Sequence, residues 1–67
     1  MKKKQITKKE VVQRKIDANI EEIYSLEIVR DYNREKGNQL EVDASVKRIM
    51  QNQENLKFLE EYIKTCE

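Results

Sequence analysis

The chain has no proline, no histidine and no tryptophan, and only one glycine and one cysteine among 67 residues. Each absence removes a class of structure or chemistry. Without proline, no residue in the chain is barred from a helix interior by a missing N–H. Without histidine, the commonest general base and metal ligand is gone, and so are the Glu-x-x-His ligand sets of di-metal bundles. One glycine cannot build a glycine-rich phosphate loop. The lone Cys66 can form no intramolecular disulfide and has no histidine to activate it. A single unpaired cysteine fits a reducing compartment. No apolar run approaches the roughly 20 residues needed to span a bilayer. The basic opening Met1-Lys2-Lys3-Lys4 is followed by no apolar core, so it does not read as a secretory leader. These absences predict a cytoplasmic protein that is not an enzyme, has no cofactor or metal, binds no small-molecule substrate and contacts no membrane.

What remains is charge and helical periodicity. Charged residues make up 40% of the chain and aromatics 6%, a balance that could leave a chain disordered. The net charge of +1 and the regular spacing of the apolar residues argue instead for order. The charge is unevenly spread. Residues 1–15 carry Lys2, Lys3, Lys4, Lys8, Lys9, Arg14 and Lys15 against the single acid Glu10, and the rest of the chain is mildly acidic. That basic arm could contact an anionic partner, including the phosphates of a nucleic acid.

Thr7 and Glu10 have the Thr-x-x-Glu spacing of a capping box, with Ile6 and Val11 placed as a hydrophobic staple. Residues 1–6 therefore read as a loose tail and 7–36 as helix 1. Gly37 is the one residue suited to a left-handed helix end, so the chain folds back there. Residues 37–42 read as the loop and 43–65 as helix 2, capped by Asp43, with Asn38 and Glu41 as an alternative start. The expected fold is all-α: one antiparallel two-helix hairpin filling residues 1–67.

The seam is expected from Val12, Ile16, Ile20, Ile23 and Leu26 on helix 1, spaced by three and four. On helix 2 it comes from Val42, Ile49, Leu56 and Ile63, spaced by seven, with Val46 and Leu59 between them. A six-residue loop puts Ile23 opposite Leu56, Ile20 opposite Leu59, Ile16 opposite Ile63 and Val12 opposite Cys66. The same pairing sets Glu27 and Arg30 against Asn52, Gln53 and Ile49. This is either a polar layer in the seam or a surface Glu27–Arg30 pair.

Ala18, Val29, Tyr32, Met50, Phe58 and Tyr62 are left over once the seam is assigned. A two-helix hairpin cannot bury two faces, so these residues are candidates for a surface that receives a second copy or a different protein. Domains of about 60 residues are marginal alone, which favours self-association into a four-helix bundle. The expected role is a small protein–protein interaction module: an adaptor, inhibitor or regulator, as in bacterial or phage accessory proteins. A structural subunit of a larger assembly is the alternative, and non-specific nucleic-acid binding through the arm is another. A family of two-helix aspartyl-phosphate phosphatases carries a Ser-Gln-Glu-Leu-Asp signature on its second helix. The nearest segment here, Asn52-Gln53-Glu54-Asn55-Leu56, matches it only at Gln53 and Glu54 and has Leu56 in place of the aspartate.

Overall fold

A computed structural model describes residues 5–66. It contains two helices, α1 (Lys8–Lys36) and α2 (Gln39–Ile63), packed along their length as an antiparallel hairpin. The all-α hairpin expected from the sequence is the fold.

The start of α1 is a complete capping box. The Glu10 N–H donates to Thr7 Oγ1 at 3.1 Å, and the Thr7 N–H donates to Glu10 Oε1 at 2.9 Å. That second bond is the main reason the Glu10 carboxyl titrates below its ordinary value. Partial desolvation opposes the shift, while the Thr7 hydroxyl and Arg14 reinforce it.

α1 ends at Gly37, which takes φ 78° and ψ 18°, in the left-handed region. The Gly37 N–H donates to the Arg34 carbonyl at 3.2 Å, and the Asn38 N–H donates to the Asn33 carbonyl at 2.9 Å. These are the two bonds of a Schellman motif. Its usual apolar clasp is replaced by a polar one, Asn38 Nδ2 to Asn33 Oδ1 at 3.1 Å.

That motif shortens the loop. Residues 39–42, expected in the loop, are the first turn of α2, whose opening bond runs from the Val42 N–H to the Asn38 carbonyl at 3.1 Å. Asn38 precedes the helix without a side-chain cap. Asp43, expected to be the cap, lies inside the helix and accepts the Gln39 amide at 2.8 Å. At the far end α2 stops at Ile63, two residues before the expected 65, and the backbone tightens. Lys64, Thr65 and Cys66 each donate to the carbonyl three residues back.

Losing four loop residues shifts the register by one helical turn. With Lys36 and Gln39 flanking the turn, the numbers of facing residues sum to roughly 75. Ile23 is then level with Asn52, Ile16 with Leu59 and Val12 with Ile63. The pairings expected from a longer loop are each displaced by about four residues. Two long-range contacts run in the same direction and further: Asn19 bonds Asn52 and Glu22 pairs with Arg48, residues whose numbers sum to about 70. In the longer-loop register Asn19 would face Glu60, about 12 Å further along α2 than Asn52.

The buried residues are Val12, Ile16, Asn19 and Ile23 on α1, and Val42, Ser45 and Ile49 on α2. Ile20, Leu26, Leu56, Leu59 and Ile63 are half-buried. Steps of four and three run through Val12, Ile16, Asn19, Ile23 and Leu26, and through Val42, Ser45, Ile49, Asn52, Leu56, Leu59 and Ile63. Both helices thus present a heptad seam. Ser45, not the expected Val46, fills the second seam position of α2. Val46 is 37% exposed because one further residue rotates a side chain about 100° around the helix.

Candidate interaction surface

The hairpin is a ribbon measuring 56 × 26 × 11 Å, so it is one helix thick. Side chains beside the seam fall on one of two broad faces. The Glu22–Arg48 ion pair, 3.9 Å, spans the seam on one of them. On the other, Ile20, Ile23, Tyr24, Gln53 and Leu56 line a shallow depression between the helices.

Helical spacing assigns the remaining exposed apolar residues to these faces. Val46 and Met50 precede Gln53 by seven and three residues, so they share the face of Tyr24. Ala18 and Val29 lie four before and seven after Glu22, and Tyr32 follows Val29 by three. Tyr62 lies two heptads after Arg48, with Phe58 four residues before it. These five line the face of the ion pair. The set Ala18, Val29, Tyr32, Met50, Phe58 and Tyr62 is therefore not one surface, because Met50 looks the opposite way from the other five. Tyr62 is half-buried and the other members are exposed.

The two faces differ in layout. On the ion-pair face Phe58 and Tyr62 stack at 5.7 Å between centroids, near the open end of the hairpin. Val29 and Tyr32 sit near the turn, with Lys36 Nζ 5.6 Å above the Tyr32 ring. Between these clusters lie Glu22, Ser25, Arg48 and Asn55, so the middle is polar. On the opposite face the apolar group is central. Tyr24 is 62% and Met50 59% exposed, and Ile20 and Val46 extend the group toward the two ends. An apolar centre holding an aromatic and a methionine inside a charged rim is the usual anatomy of a protein–protein interface. Tyr24 is recognisable from sequence as a large apolar residue outside the seam. Its pairing with Met50 needs the observed register.

Within the seam, Asn19 and Asn52 make the polar layer. Asn19 Nδ2 donates to Asn52 Oδ1 at 2.7 Å and lies 3.1 Å from the Asn52 carbonyl oxygen. Asn52 Nδ2 in turn donates to the Arg48 carbonyl at 2.9 Å. Of the two readings of Glu27 and Arg30, neither the polar layer against Asn52 and Gln53 nor a Glu27–Arg30 pair forms among the described residues. Arg30 Nε pairs with Asp31 at 3.0 Å, and Arg34 reaches the same carboxylate at 3.8 Å. Gln53 is exposed on the broad face instead. Among the described residues, no buried side-chain nitrogen or oxygen lacks a partner.

Of the basic arm, Lys2, Lys3 and Lys4 lie outside the described residues. Lys8, Lys9, Arg14 and Lys15 are exposed on the first turns of α1. Cys66 is half-buried with its Sγ 3.7 Å from the Tyr62 carbonyl oxygen. Among the described residues there is no cluster of three acidic, cysteine or histidine side chains suited to a metal. No described helix is long and apolar enough to cross a membrane. Comparison with protein-family models, curated proteins and solved structures finds no match to this chain.

Proposed function

We propose that this chain is a non-enzymatic protein–protein interaction module that works as a homodimer, two hairpins stacking face to face into a four-helix bundle. The observation that supports this reading is surface left uncovered on a ribbon one helix thick. The 8.1 kDa chain exposes 5898 Å², where a compact monomer of that mass exposes about 4,500 Å². Among the described residues no large side chain is fully buried within one hairpin, while Tyr24, Ile28, Met50 and Phe58 are each more than half exposed. Stacking a second layer converts such residues into core, as in other helix bundles.

A dimer through one broad face leaves the other free. The Phe58–Tyr62 stack on that second face suits an adaptor or regulator that holds a target protein while paired with itself. Non-specific nucleic-acid binding has less support, because Glu10 and Asp17 interleave with Lys8, Lys9, Arg14 and Lys15 on α1. Sedimentation equilibrium at micromolar concentration tests the main reading. A mass of twice 8.1 kDa is expected, and a single 8.1 kDa species overturns it.

A further inference from the structure

We infer that the open end of the ion-pair face receives an acidic amphipathic helix of the target protein, an inference that rests on the interaction-module reading above. The Phe58–Tyr62 stack supplies the apolar contact, and Lys8 and Lys15 supply the charge. The heptad seam brings these two pairs together from opposite ends of the sequence. Glu22 and Arg48 meet across the seam at 3.9 Å. One heptad toward the open end, the same positions on the two helices are Lys15 and Asn55, and one further heptad gives Lys8 and Tyr62. Lys8 and Lys15 thus share the row of Glu22, across the seam from Tyr62. Phe58 lies one turn before Tyr62, on the outer side of α2.

The bases on this face are unopposed. Among the described residues neither Lys8 nor Lys15 has a carboxylate partner. Glu10 and Asp17, which interleave with them in sequence, lie two heptads and one heptad before Tyr24, so they share its face on the other side of the ribbon. The Glu10 carboxylate is also held by the Thr7 N–H at 2.9 Å.

Phe58 is 63% exposed, so its outer surface is open to a partner. An aromatic pair beside two ammonium groups is complementary to an apolar row beside an acidic one. Lys8 and Lys15 stand two turns apart, about 10.5 Å along α1. Carboxylates seven residues apart on a partner helix span the same distance. Such a helix meets both lysines while its apolar residues cover Phe58 and Tyr62. A nucleic acid fits less well, because two lysines neutralise few phosphates. Beyond Phe58 the outer edge of α2 carries Glu54 and Glu61, acid where a phosphate backbone crossing the rings needs base. Lys64 pairs with Glu61 at 3.7 Å and offsets one of the two.

Fluorescence anisotropy of the full chain with two synthetic helical peptides tests the assignment. Each peptide has about 18 residues, or five turns, and one row of leucines. Glutamates at heptad spacing border that row in the first, and lysines replace them in the second. The acidic peptide should bind roughly tenfold more tightly than the basic one. Combining Lys8→Glu with Lys15→Glu should reverse the preference, and Phe58→Ser should weaken the acidic peptide by roughly tenfold. All three sites are exposed, and circular dichroism checks that each variant keeps its helices. The inference falls if the acidic peptide does not bind, binds no better than the basic one, or keeps its advantage after the charge reversal. A single-stranded oligonucleotide that displaces the acidic peptide also overturns it and gives the patch to nucleic acid. Sedimentation equilibrium on the same samples keeps the readings apart: a dimer without the peptide preference sinks this inference alone, and a monomer with it sinks the homodimer alone.

Discussion

Replacing Asn19 by alanine probes the polar layer that sits where the hairpin register is decided. Asn19 is buried, and its amide gives Asn52 Oδ1 a 2.7 Å bond. A neutral hydrogen bond of this kind contributes about 0.5–1.5 kcal/mol net. Alanine also removes packing volume from the seam. Asn52 is half-buried, so water can reach part of what is lost. We therefore expect Asn19→Ala to cost about 1–2 kcal/mol. In a domain of this length that is a fall in Tm of roughly 5–15 °C. The assay is thermal unfolding followed by helical circular dichroism, at one fixed protein concentration because self-association would contribute to stability. The double substitution Asn19→Leu/Asn52→Leu should instead stabilise by about 1–3 kcal/mol, since an apolar pair replaces buried polar groups. That gain should come with more than one oligomeric species, as the layer no longer penalises shifted pairings. If Asn19→Ala melts with the wild type, or no lower than the exposed control Gln51→Ala, Asn19 does not bridge the helices and the register is wrong.

The remaining predictions address the ends and the seam. Gly37→Val should lower stability by about 1 kcal/mol or more through the left-handed backbone alone, because a Cβ there meets nothing within 4 Å. An unchanged Tm would show that Gly37 is not the turn. Ile49→Ala should cost about 2–4 kcal/mol and Val46→Ala well under 1 kcal/mol in urea unfolding of the same protein. Equal losses would put Val46 back in the seam. Glu10 is held below its ordinary pKa when folded, so its contribution is present above the unfolded value and fades as pH falls through the folded one. Glu10→Ala should thus be less stable than wild type at neutral pH, and the gap should narrow in acid. A gap unchanged at pH 2 would exclude the Glu10 carboxylate as its source.

The parts of the fold legible in the sequence are those signalled by a local chemical requirement. Thr7 and Glu10 announce a helix start because two side chains and two N–H groups satisfy each other within four residues. Gly37 announces a helix end because few other residues adopt its backbone conformation. The start of α2 shows in the sequence only as the alternative, Asn38 with Glu41, because Asn38 precedes the helix without a side-chain bond and Asp43 reads as the better cap. The four-residue error in the loop then displaced every cross-helix pairing. The seam misled in a related way. Hydrophobic spacing favours Ile20 over Asn19 and Val46 over Ser45, yet the alternation of four and three puts the smaller, more polar residue inside. Nothing in one helix alone shows that Asn19 will find Asn52. The same dependence on register kept Met50 grouped with Phe58 and Tyr62, although the hairpin turns it to the opposite face, beside Tyr24.

Pulsed electron–electron spin resonance on spin-labelled Lys36→Cys, in a Cys66→Ser background, tests the central claim most directly. The label sits at the turn, and the claim is that two hairpins stack face to face into one bundle. The two labels should then couple at a distance no greater than the 56 Å length of the ribbon. The absence of any intermolecular coupling would contradict the dimer itself.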